Sequence, residues 1–436
     1  MIISIKKAKI HLIDGSLNVI ILNLWGELMV LEAYLKNNDS SIKKLHIESG
    51  ISESTIRGID NKKVSKWKIE YIDAIAKTVK KNPLKVVQEI KLLEDKEEKA
   101  LGHFDLENRR YIGSKSKLLN WISNLIDQYT CGDSFFDVFA GTGVVTRKMI
   151  DKYDTFIIND FLFSNYIIYK AFFDNMPYDK NKLLDCQVEY QNINTKKIND
   201  NYFNENFGDK FFSKRDAKVI GEIRIRIKEN KKINEREKDI LLASLLYSSD
   251  KISNTVGHYD AYRKKVKLEN KFLFELINPI DMTGKEIKIF KEDANKLVRK
   301  IKADVAFIDP PYNSRQYSRF YHVLENLAKW EKPKLYGVAM KPKPENMSDY
   351  CRSSAPQVFN DLISNLNVKY IVVTYNNTYD SKSNSSKNKI SHREILKSLN
   401  MVGHTKIFEK PYQCFNTGKT NMKNHKEYVF ITEVEK

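Results

Sequence analysis

The sequence contains little cysteine, no clustered histidine and no long uninterrupted apolar run. Its four cysteines are scattered along 436 residues without paired spacing, which argues against a disulfide framework or a zinc site and predicts a reducing, cytoplasmic location. The eight histidines form no metal-ligand pattern, so we expect no bound metal. Residues 17–35 come nearest to a membrane segment, but polar side chains interrupt them and no targeting signal is recognisable. We therefore expect an amphipathic helix there and no membrane association.

Basic residues outnumber acidic ones. The chain has 74 Lys and Arg against 56 Asp and Glu, a formal net charge of +18. The excess is concentrated in residues 210–300, where 23 basic and 14 acidic residues give 23 − 14 = +9. Such a balance favours a polyanionic partner, because each phosphate that a cation neutralises releases condensed counterions. A merely well-solvated surface is the alternative, which charge alone does not exclude.

Residues 1–103 have the pattern of a small helical domain. Apolar residues in 41–59 recur at helical spacing on either side of Gly50, which predicts a helix, a tight turn and a second helix. A third helix is predicted around residues 69–76. The pattern resembles the helix-turn-helix domains of phage-repressor type regulators, and the resemblance implies DNA contacts from Ser52, Ser54, Thr55 and Arg57. A helical module that serves only packing or dimerisation is the alternative.

From Tyr111 onward, helical patterns alternate with short β-branched and aromatic runs, which predicts a mostly parallel α/β sheet. The predicted strands are residues 135–139, 155–159, 287–290, 305–308, 370–374 and 427–432. Residues 164–280 interrupt this alternation with long charged helical patterns. We therefore expect an α/β domain formed by residues 104–163 and 281–436, with residues 164–280 as a basic helical insertion.

A strand that runs into a glycine turn, residues 135–143, predicts a ligand site at the carboxyl edge of this sheet. A dinucleotide fold is one interpretation, although it prefers a third glycine where Thr146 stands. Asp160 ends the next strand, 160 − 141 = 19 residues after Gly141, where a carboxylate can accept both hydroxyls of a ribose. Asp293 follows a later strand and could accept the amine of a cofactor's adenine. Taken singly, each acid is better explained as a helix cap, but the two together indicate a nucleoside site.

The most informative segment is Asp309-Pro310-Pro311-Tyr312, which follows a predicted buried strand. Proline fixes φ at about −65° and donates no backbone hydrogen bond, so the turn is stiff. The amine of adenine is a poor nucleophile, because its lone pair is delocalised into the ring. The Asp309 carboxylate and the Pro310 carbonyl can each accept one N–H bond from that amine, while Tyr312 offers a face for an extruded base. The motif indicates alignment of an adenine amine for group transfer.

These motifs together resemble the alpha-group N6-adenine DNA methyltransferases of restriction–modification systems. Residues 110–115, Arg-Tyr-Ile-Gly-Ser-Lys, are similar to the leading cofactor motif of that group. The resemblance implies a Rossmann-like fold that binds S-adenosylmethionine without a metal, and it implies Asp309, Pro310 and Tyr312 as catalytic residues. It further implies a cofactor site formed by Tyr111, Lys115, Asp137, Phe139, Gly141, Asp160, Phe161, Asp293 and Ala294.

The same resemblance assigns target recognition to the segment that precedes the catalytic motif. It implies double-stranded DNA as the partner of residues 164–280, and a restriction endonuclease for the same site as a further partner. Aromatic and basic residues lie around a glycine in residues 254–263. The predicted DNA contacts are Asn254, His258, Tyr259 and Arg263 in this loop, and Arg315 in the segment that follows the catalytic motif. A loop that only packs on the sheet is the alternative.

Three other functions compete with adenine methylation of DNA. Methylation of cytosine N4 usually has a serine in place of Asp309, and methylation of adenine in RNA usually has an asparagine there, so the acid favours DNA adenine. A DNA-binding regulator with a relic methyltransferase fold would explain the N-terminal pattern, but it would not need the cofactor acids.

Overall fold

The computed structural model describes residues 30–60, 62–99, 101–378, 387–412 and 425–435. The chain divides into two compact units, residues 1–100 and 101–436. Of the predicted amphipathic helix 17–35, residues 30–35 begin a helix and the remainder lies outside the described residues. Within these ranges, every helix is too short or too polar to cross a lipid bilayer. The three cysteines in the described ranges are free thiols.

Unit 1 has a helix, a glycine turn and a second helix at the predicted place. Its described helices are α1 (Val30–Asn37), α2 (Ile42–Ser49), α3 (Glu53–Asp60), α4 (Ile69–Val79) and α5 (Pro83–Lys99). Gly50 ends α2 at φ +71°, a left-handed conformation that glycine adopts without steric cost. Ser52 then caps α3, because its hydroxyl oxygen accepts the backbone N–H of Thr55 at 3.2 Å. The apolar sides of these helices share one core that includes Leu35, Leu45, Ile56, Ile75 and Ile90.

Unit 2 is built on one sheet. Its strands are β1 (Ser134–Asp137), β2 (Thr155–Asn159), β3 (Glu286–Phe290), β4 (Val305–Ile308), β5 (Tyr370–Asn376), β6 (Gly403–Pro411) and β7 (Lys426–Val434). The order is β3-β2-β1-β4-β5-β7-β6, with the first five strands parallel, β7 antiparallel to β5 and β6 antiparallel to β7. Six strands lie where the sequence predicts them. The seventh, β6, was not predicted, because this edge strand exposes most of its residues and lacks regular apolar alternation.

Both faces of the sheet are covered. Side chains alternate between faces along each strand, so Phe135 and Phe307 enter one core while Phe136 and Ile308 enter the other. All four residues of β4 are buried, as expected for a central parallel strand between two helical layers. This arrangement confirms the predicted α/β fold class.

More helices of unit 2 pack on one face of the sheet than on the other. The helices are α6 (Leu119–Tyr129), α7 (Val144–Met149), α8 (Phe163–Phe173), α9 (Lys180–Gln191), α10 (Tyr202–Phe207), α11 (Lys214–Glu229), α12 (Glu235–Ile252), α13 (Ala294–Leu297), α14 (Tyr317–Phe320), α15 (His322–Lys329), α16 (Ala355–Ser364) and α17 (His392–Leu399). Helices α13, α16 and α17 contribute to the core that contains Phe136. Helices α8 to α12 contribute to the core that contains Phe135, so residues 164–280 share a core with one face of the sheet.

Candidate active site

A cleft of about 960 Å³, open to solvent, runs along the carboxyl edge of the sheet. The loops after β1, β2, β3 and β4 line it, because parallel strands bring their carboxyl ends to the same edge. The structure brings all nine predicted cofactor residues to this cleft: Tyr111, Lys115, Asp137, Phe139, Gly141, Asp160, Phe161, Asp293 and Ala294.

The turn after β1 requires its glycines. Gly141 and Gly143 have φ values of +55° and +77°, which side chains rarely permit. A Cβ on Gly141 would also lie 3.3 Å from the ring of Tyr111, so a larger residue would crowd the cleft. The turn therefore keeps a space against the backbone that a ligand can fill.

Asp137, at the end of β1, carries a buried carboxylate. Its Oδ2 accepts the hydroxyl of Thr146 at 2.7 Å, whereas Oδ1 is buried and meets no donor among the residues that the structure describes. Burial raises the pKa of Asp137 to about 7, against the opposing effect of the Thr146 hydrogen bond. An acceptor of this kind, unpaired and facing a cleft, suits the N–H groups of a bound ligand.

Asp160 follows β2 and fixes the glycine turn. Its Oδ2 accepts the backbone N–H of Gly141 at 3.0 Å, and its Oδ1 accepts that of Leu162 at 2.9 Å. Burial raises the pKa of Asp160, although these bonds oppose the shift. The Tyr169 hydroxyl also donates to Oδ2 at 3.4 Å, and the side chain borders the cleft, where a ribose hydroxyl can compete with this long contact for the carboxylate.

Asp293 is a helix cap and a cleft residue at once. Its Oδ1 accepts the backbone N–H of Lys296 at 3.1 Å at the start of α13, and the side chain also borders the cleft. Beside it, the rings of Phe139 and Tyr350 meet edge to face with centroids 5.0 Å apart. This end of the cleft therefore offers an acceptor next to aromatic faces.

The Asp309 carboxylate is held at one oxygen. Lys115 Nζ lies 2.9 Å from Oδ1, the Thr374 hydroxyl donates to Oδ1 at 2.7 Å, and the Tyr312 hydroxyl donates to it as well. Every described contact to this carboxylate thus falls on Oδ1. The side chain lines the cleft, so Oδ2 is the oxygen that remains for a substrate.

Tyr312 is in contact with the protein at its hydroxyl and at its ring. Lys115 Nζ lies 4.8 Å from its centroid and 2.7 Å from its hydroxyl oxygen, and the ring of Tyr375 meets it edge to face at 4.6 Å. In this conformation Tyr312 orients Asp309, and stacking on an extruded base stays a prediction. Pro310 is buried, and Pro311 lines the cleft.

Sequence reasoning missed Glu427, which belongs to the same cluster. It is 6% exposed at the start of β7, and its Oε2 is buried with no donor in the described part of the chain. Burial raises the pKa of Glu427 to about 7, while the charge of Lys115 opposes the shift. The sequence could have indicated this residue. In β7, side chains at every second position point to the same face, so Glu427 lies on the face of the buried Val429 and Ile431.

Arg109 was also missed. Its buried guanidinium lies 5.0 Å from the ring centroid of Tyr111 and donates to the side chain of Asn165. Tyr111 in turn stacks on Tyr321, with centroids 4.7 Å apart and planes 9° from parallel. Arg109 therefore supports the wall of the cleft from behind, through the ring of Tyr111.

Among the predicted DNA contacts of unit 2, Tyr259 needs correction. It is 1% exposed, and its hydroxyl donates to Asp250 at 2.8 Å, so it is a core residue. The Asn254 amide shapes the loop by donating to the backbone carbonyl of Arg263 at 3.0 Å. The remaining positions differ in access: His258 stacks on a phenylalanine, Arg263 is exposed, and Arg315 is partly buried.

In unit 1, the predicted DNA contacts share a surface. Ser52, Ser54, Thr55 and Arg57 are all exposed at or near the first turns of α3, while Ile56 and Ile59 of the same helix face the core. DNA binding by this surface stays a prediction.

The chain matches the D12 class N6 adenine-specific DNA methyltransferases over residues 111–386. It belongs to this family. The match spans the glycine turn, the acids Asp160 and Asp293, and the Asp309 motif. The predicted methyltransferase fold and the adenine-specific family are therefore confirmed. It also excludes the dinucleotide-fold interpretation of the glycine turn.

Several similar proteins are modification methylases or type II methyltransferases. The chain is 34% identical over 345 residues to modification methylase StsI of Streptococcus sanguinis, covering 75% of this chain and 52% of the relative. It is 30% identical over 351 residues to type II methyltransferase M.NlaIII of Neisseria lactamica, covering 74% and 98%. For type II methyltransferase M.FokI of Planomicrobium okeanokoites the identity is 32% over 350 residues, covering 74% and 52%. The chain therefore spans about half the length of two of these relatives and nearly all of M.NlaIII.

Proposed function

We propose that this chain transfers a methyl group from S-adenosylmethionine to N6 of an adenine in double-stranded DNA, as the modification enzyme of a restriction–modification system. The observation that carries the proposal is the Asp309 carboxylate, anchored through Oδ1 and lining the cleft. The named relatives, which are modification methylases, support the system. A restriction endonuclease acting on the same site is the partner that such a system requires.

The residues of the cleft fit the cofactor. The unpaired Oδ1 of Asp137 suits the ammonium of the methionine part, Asp160 suits the ribose hydroxyls, and Asp293 beside Phe139 suits the adenine. The space kept by Gly141 lets a ligand approach the backbone. When bound, S-adenosylmethionine supplies an electrophilic methyl group on a positively charged sulfur. That no metal takes part stays a prediction.

The protein's contribution to the transfer is mainly alignment. In the proposal, Asp309 Oδ2 and the Pro310 carbonyl accept the two N–H bonds of the target amine. That geometry draws the nitrogen toward a pyramidal form and directs its lone pair at the methyl carbon. The bound cofactor would supply the methyl group and keep the electron pair of its C–S bond on sulfur, and the surplus proton of N6 would be released to water through the cleft, which is open to solvent. Alignment and fixed acceptors of this kind account for large rate effects in enzymes.

The test is a methyl-transfer assay with tritiated S-adenosylmethionine and genomic duplex DNA that lacks adenine methylation. We expect label in N6-methyladenine after the DNA is digested to nucleosides, and sequencing of the modified DNA then gives the recognition site. Label in N4-methylcytosine would replace the proposal with cytosine chemistry. No label in DNA from protein that binds the cofactor would favour a regulator with a relic fold.

Asp160→Ala is expected to raise the dissociation constant of the cofactor by about 10- to 100-fold, since two hydrogen bonds to a charged acceptor are lost. Titration calorimetry measures this directly. Asp154→Ala is the matched control, because Asp154 precedes the same strand but is 74% exposed and pairs only with Lys285 at the surface. If the Asp160 variant and wild type bind the cofactor with equal affinity, Asp160 does not bind the ribose.

We propose that unit 1 adds DNA affinity through α3. Residues 40–68 contain seven Lys and Arg against three Asp and Glu, 7 − 3 = +4, and Asp60, one of the three acids, is buried. These cations lie on both sides of the exposed Ser54, Thr55 and Arg57 in the sequence, and Arg57 itself lies 3.5 Å from Glu32. M.NlaIII is matched over 98% of its length by only 74% of this chain, so about a quarter of this chain has no counterpart in that relative.

Arg57→Glu is therefore expected to weaken binding of a long duplex by about 10-fold at low salt and to reduce the salt dependence of binding. The rate of methyl transfer at saturating DNA should not change, because Arg57 lies in unit 1 and the cleft in unit 2. The charge-matched control is Lys91→Glu on α5, which is also exposed. If both variants bind DNA like wild type in filter-binding titrations, unit 1 serves packing or dimerisation instead.

A further inference from the structure

A short turn after α15 exposes two apolar side chains. Residues 336–341 form a closed loop, in which the backbone N–H of Tyr336 donates to Lys341 at 2.8 Å and that of Lys341 donates back at 2.9 Å. Gly337 at φ +70° and Met340 at φ +51° reverse the chain between them. At the tip, Val338 is 66% exposed, and Tyr336 beside it is 47% exposed. The hairpin thus presents apolar surface to solvent from a defined backbone.

The base of this hairpin is attached to the elements that follow the catalytic motif. Nε2 of His322, a fully buried residue of α15, lies 2.7 Å from the carbonyl oxygen of Ala339. Arg319 of α14 donates to the carbonyl of Pro342 at 2.6 Å. Lys341 forms an ion pair with Asp260 in the loop 254–263. The tip is therefore held by α14 and α15, which begin a few residues after Asp309.

The chain beyond the hairpin returns to the cleft. The backbone N–H of Ser348 donates to the side chain of Gln316 at 2.7 Å, and the Gln316 amide donates to the Ser348 carbonyl at 2.9 Å. Ser348 and Asn346 both line the cleft. One continuous segment thus connects the exposed tip with the wall of the proposed cofactor and adenine site.

Positive charge surrounds the apolar tip. Residues 331–345 contain four lysines against two glutamates, and one of these lysines, Lys341, is paired with Asp260. Residues 263–267, at the end of the neighbouring loop and directly after it, contribute four exposed cations, Arg263, Lys264, Lys265 and Lys267. An apolar point within a cationic rim complements duplex DNA, whose phosphates lie outside and whose stacked bases form an apolar interior.

We infer that the hairpin 336–341 is a wedge that enters the duplex at the target adenine, with Val338 filling the space that the base leaves on swinging into the cleft. The inference rests on the proposed function. It supplies a step which that function needs, because an amine in a base pair is out of reach of Asp309 in its cleft. A wedge lowers the cost of separation by replacing lost stacking contacts with side-chain contacts.

The test uses two duplexes that carry the recognition site found by sequencing. In one the target adenine is paired with thymine, and in the other an abasic site lies opposite it, so that extrusion costs less. Val338→Ala is expected to slow single-turnover methyl transfer on the paired duplex by about 10-fold and to approach the wild-type rate on the abasic one. With 2-aminopurine at the target position, the variant should also give a smaller fluorescence rise on binding.

Met401→Ala is the matched control. Met401 is 63% exposed, but it precedes β6, whose first residue Gly403 lies at the amino edge of the sheet, opposite the cleft. The control should equal wild type on both duplexes. An equal slowing of the Val338 variant on both duplexes, or no slowing on either, would overturn the wedge. Failure of the proposed function looks different, because wild-type protein would then methylate neither duplex.

Discussion

Replacing Asp309 by alanine is expected to slow methyl transfer to adenine by about 100- to 1000-fold, because a fixed acceptor for the developing charge on N6 is lost. Binding of S-adenosylmethionine should persist, since Asp137, Asp160 and Asp293 form the acceptors for the cofactor in the proposed site. The fold should also tolerate the change. Lys115 would lose one carboxylate partner but keep the charge of Glu427 close by.

Asp309→Asn makes the sharper test. Three donors meet Oδ1, so the amide oxygen of an asparagine would take that position and its NH2 group would replace Oδ2. A donor would then face the N–H bonds of the target amine. We therefore expect asparagine to be no better than alanine, although it matches aspartate in shape.

Single-turnover rates with tritiated cofactor, together with calorimetric titration of the cofactor, separate chemistry from binding. Asp349→Ala serves as the control, because Asp349 is an exposed acid, 57% accessible at its side chain. Full activity of the alanine variant would rule out the proposed mechanism. Substantial activity of the asparagine variant alone would show that the anchoring of Oδ1 does not set the direction of the carboxylate.

The sheet could be read from the sequence wherever burial imposes a pattern. Strand β4 is buried on both faces and reads as a short apolar run, and β5 behaves similarly. Strand β6 could not be read, because an edge strand with one neighbour leaves its side chains free to be polar. The helices of residues 164–280 were expected, but a pattern of charges does not show that their apolar sides share a core with the sheet.

Seven of the nine cofactor residues could be grouped from the sequence because each ends or follows a parallel strand, and topology brings these ends together, whereas Tyr111 and Lys115 precede β1 and were grouped through the family resemblance. Two neighbours of Asp309 could not be predicted. Thr374 and Glu427 come from β5 and β7, and only the register of those strands places them beside Asp309. Tyr259 illustrates the opposite error: aromatic and basic composition suggested a DNA contact, while its bond to Asp250 on the preceding helix buries it.

Replacing Lys115, which pairs with Asp309, is the second change for which we expect a large effect. Lys115 is 5% exposed; burial alone would lower its pKa, but the charges of Asp309 and Glu427 raise it, so the ammonium stays charged. Lys115→Met would leave the buried Glu427 and the partly buried Asp309 without their cation. We expect a loss of about 3–5 kcal/mol in the free energy of unfolding near pH 8, the usual cost of breaking a buried pair. Methyl transfer should fall as well, because Asp309 loses a donor.

The pH dependence of that loss follows from Glu427. Its folded pKa, about 7, lies above that of the unfolded chain, so its contribution to stability is full below pH 4.5 and declines as the pH rises toward 7. Without the opposing charge of Lys115 the folded pKa rises further, and the decline extends to higher pH. The Lys115→Met variant should therefore lose more stability at pH 8 than at pH 6, as urea titrations at both values would show.

Adding Glu427→Gln to Lys115→Met tests the charge argument. The formal charge of Lys115, Asp309 and Glu427 is +1 − 1 − 1 = −1 in wild type, −2 in the single variant and −1 again in the double variant. If unbalanced charge causes the loss, the double variant should be more stable than Lys115→Met at pH 8, and the difference should shrink at pH 6. Equal stability of the two at both pH values would mean that Lys115 acts by packing, through its contact with the ring of Tyr312. Because a glutamine side chain cannot ionise, the double variant should also lose the extended decline of stability between pH 6 and pH 8.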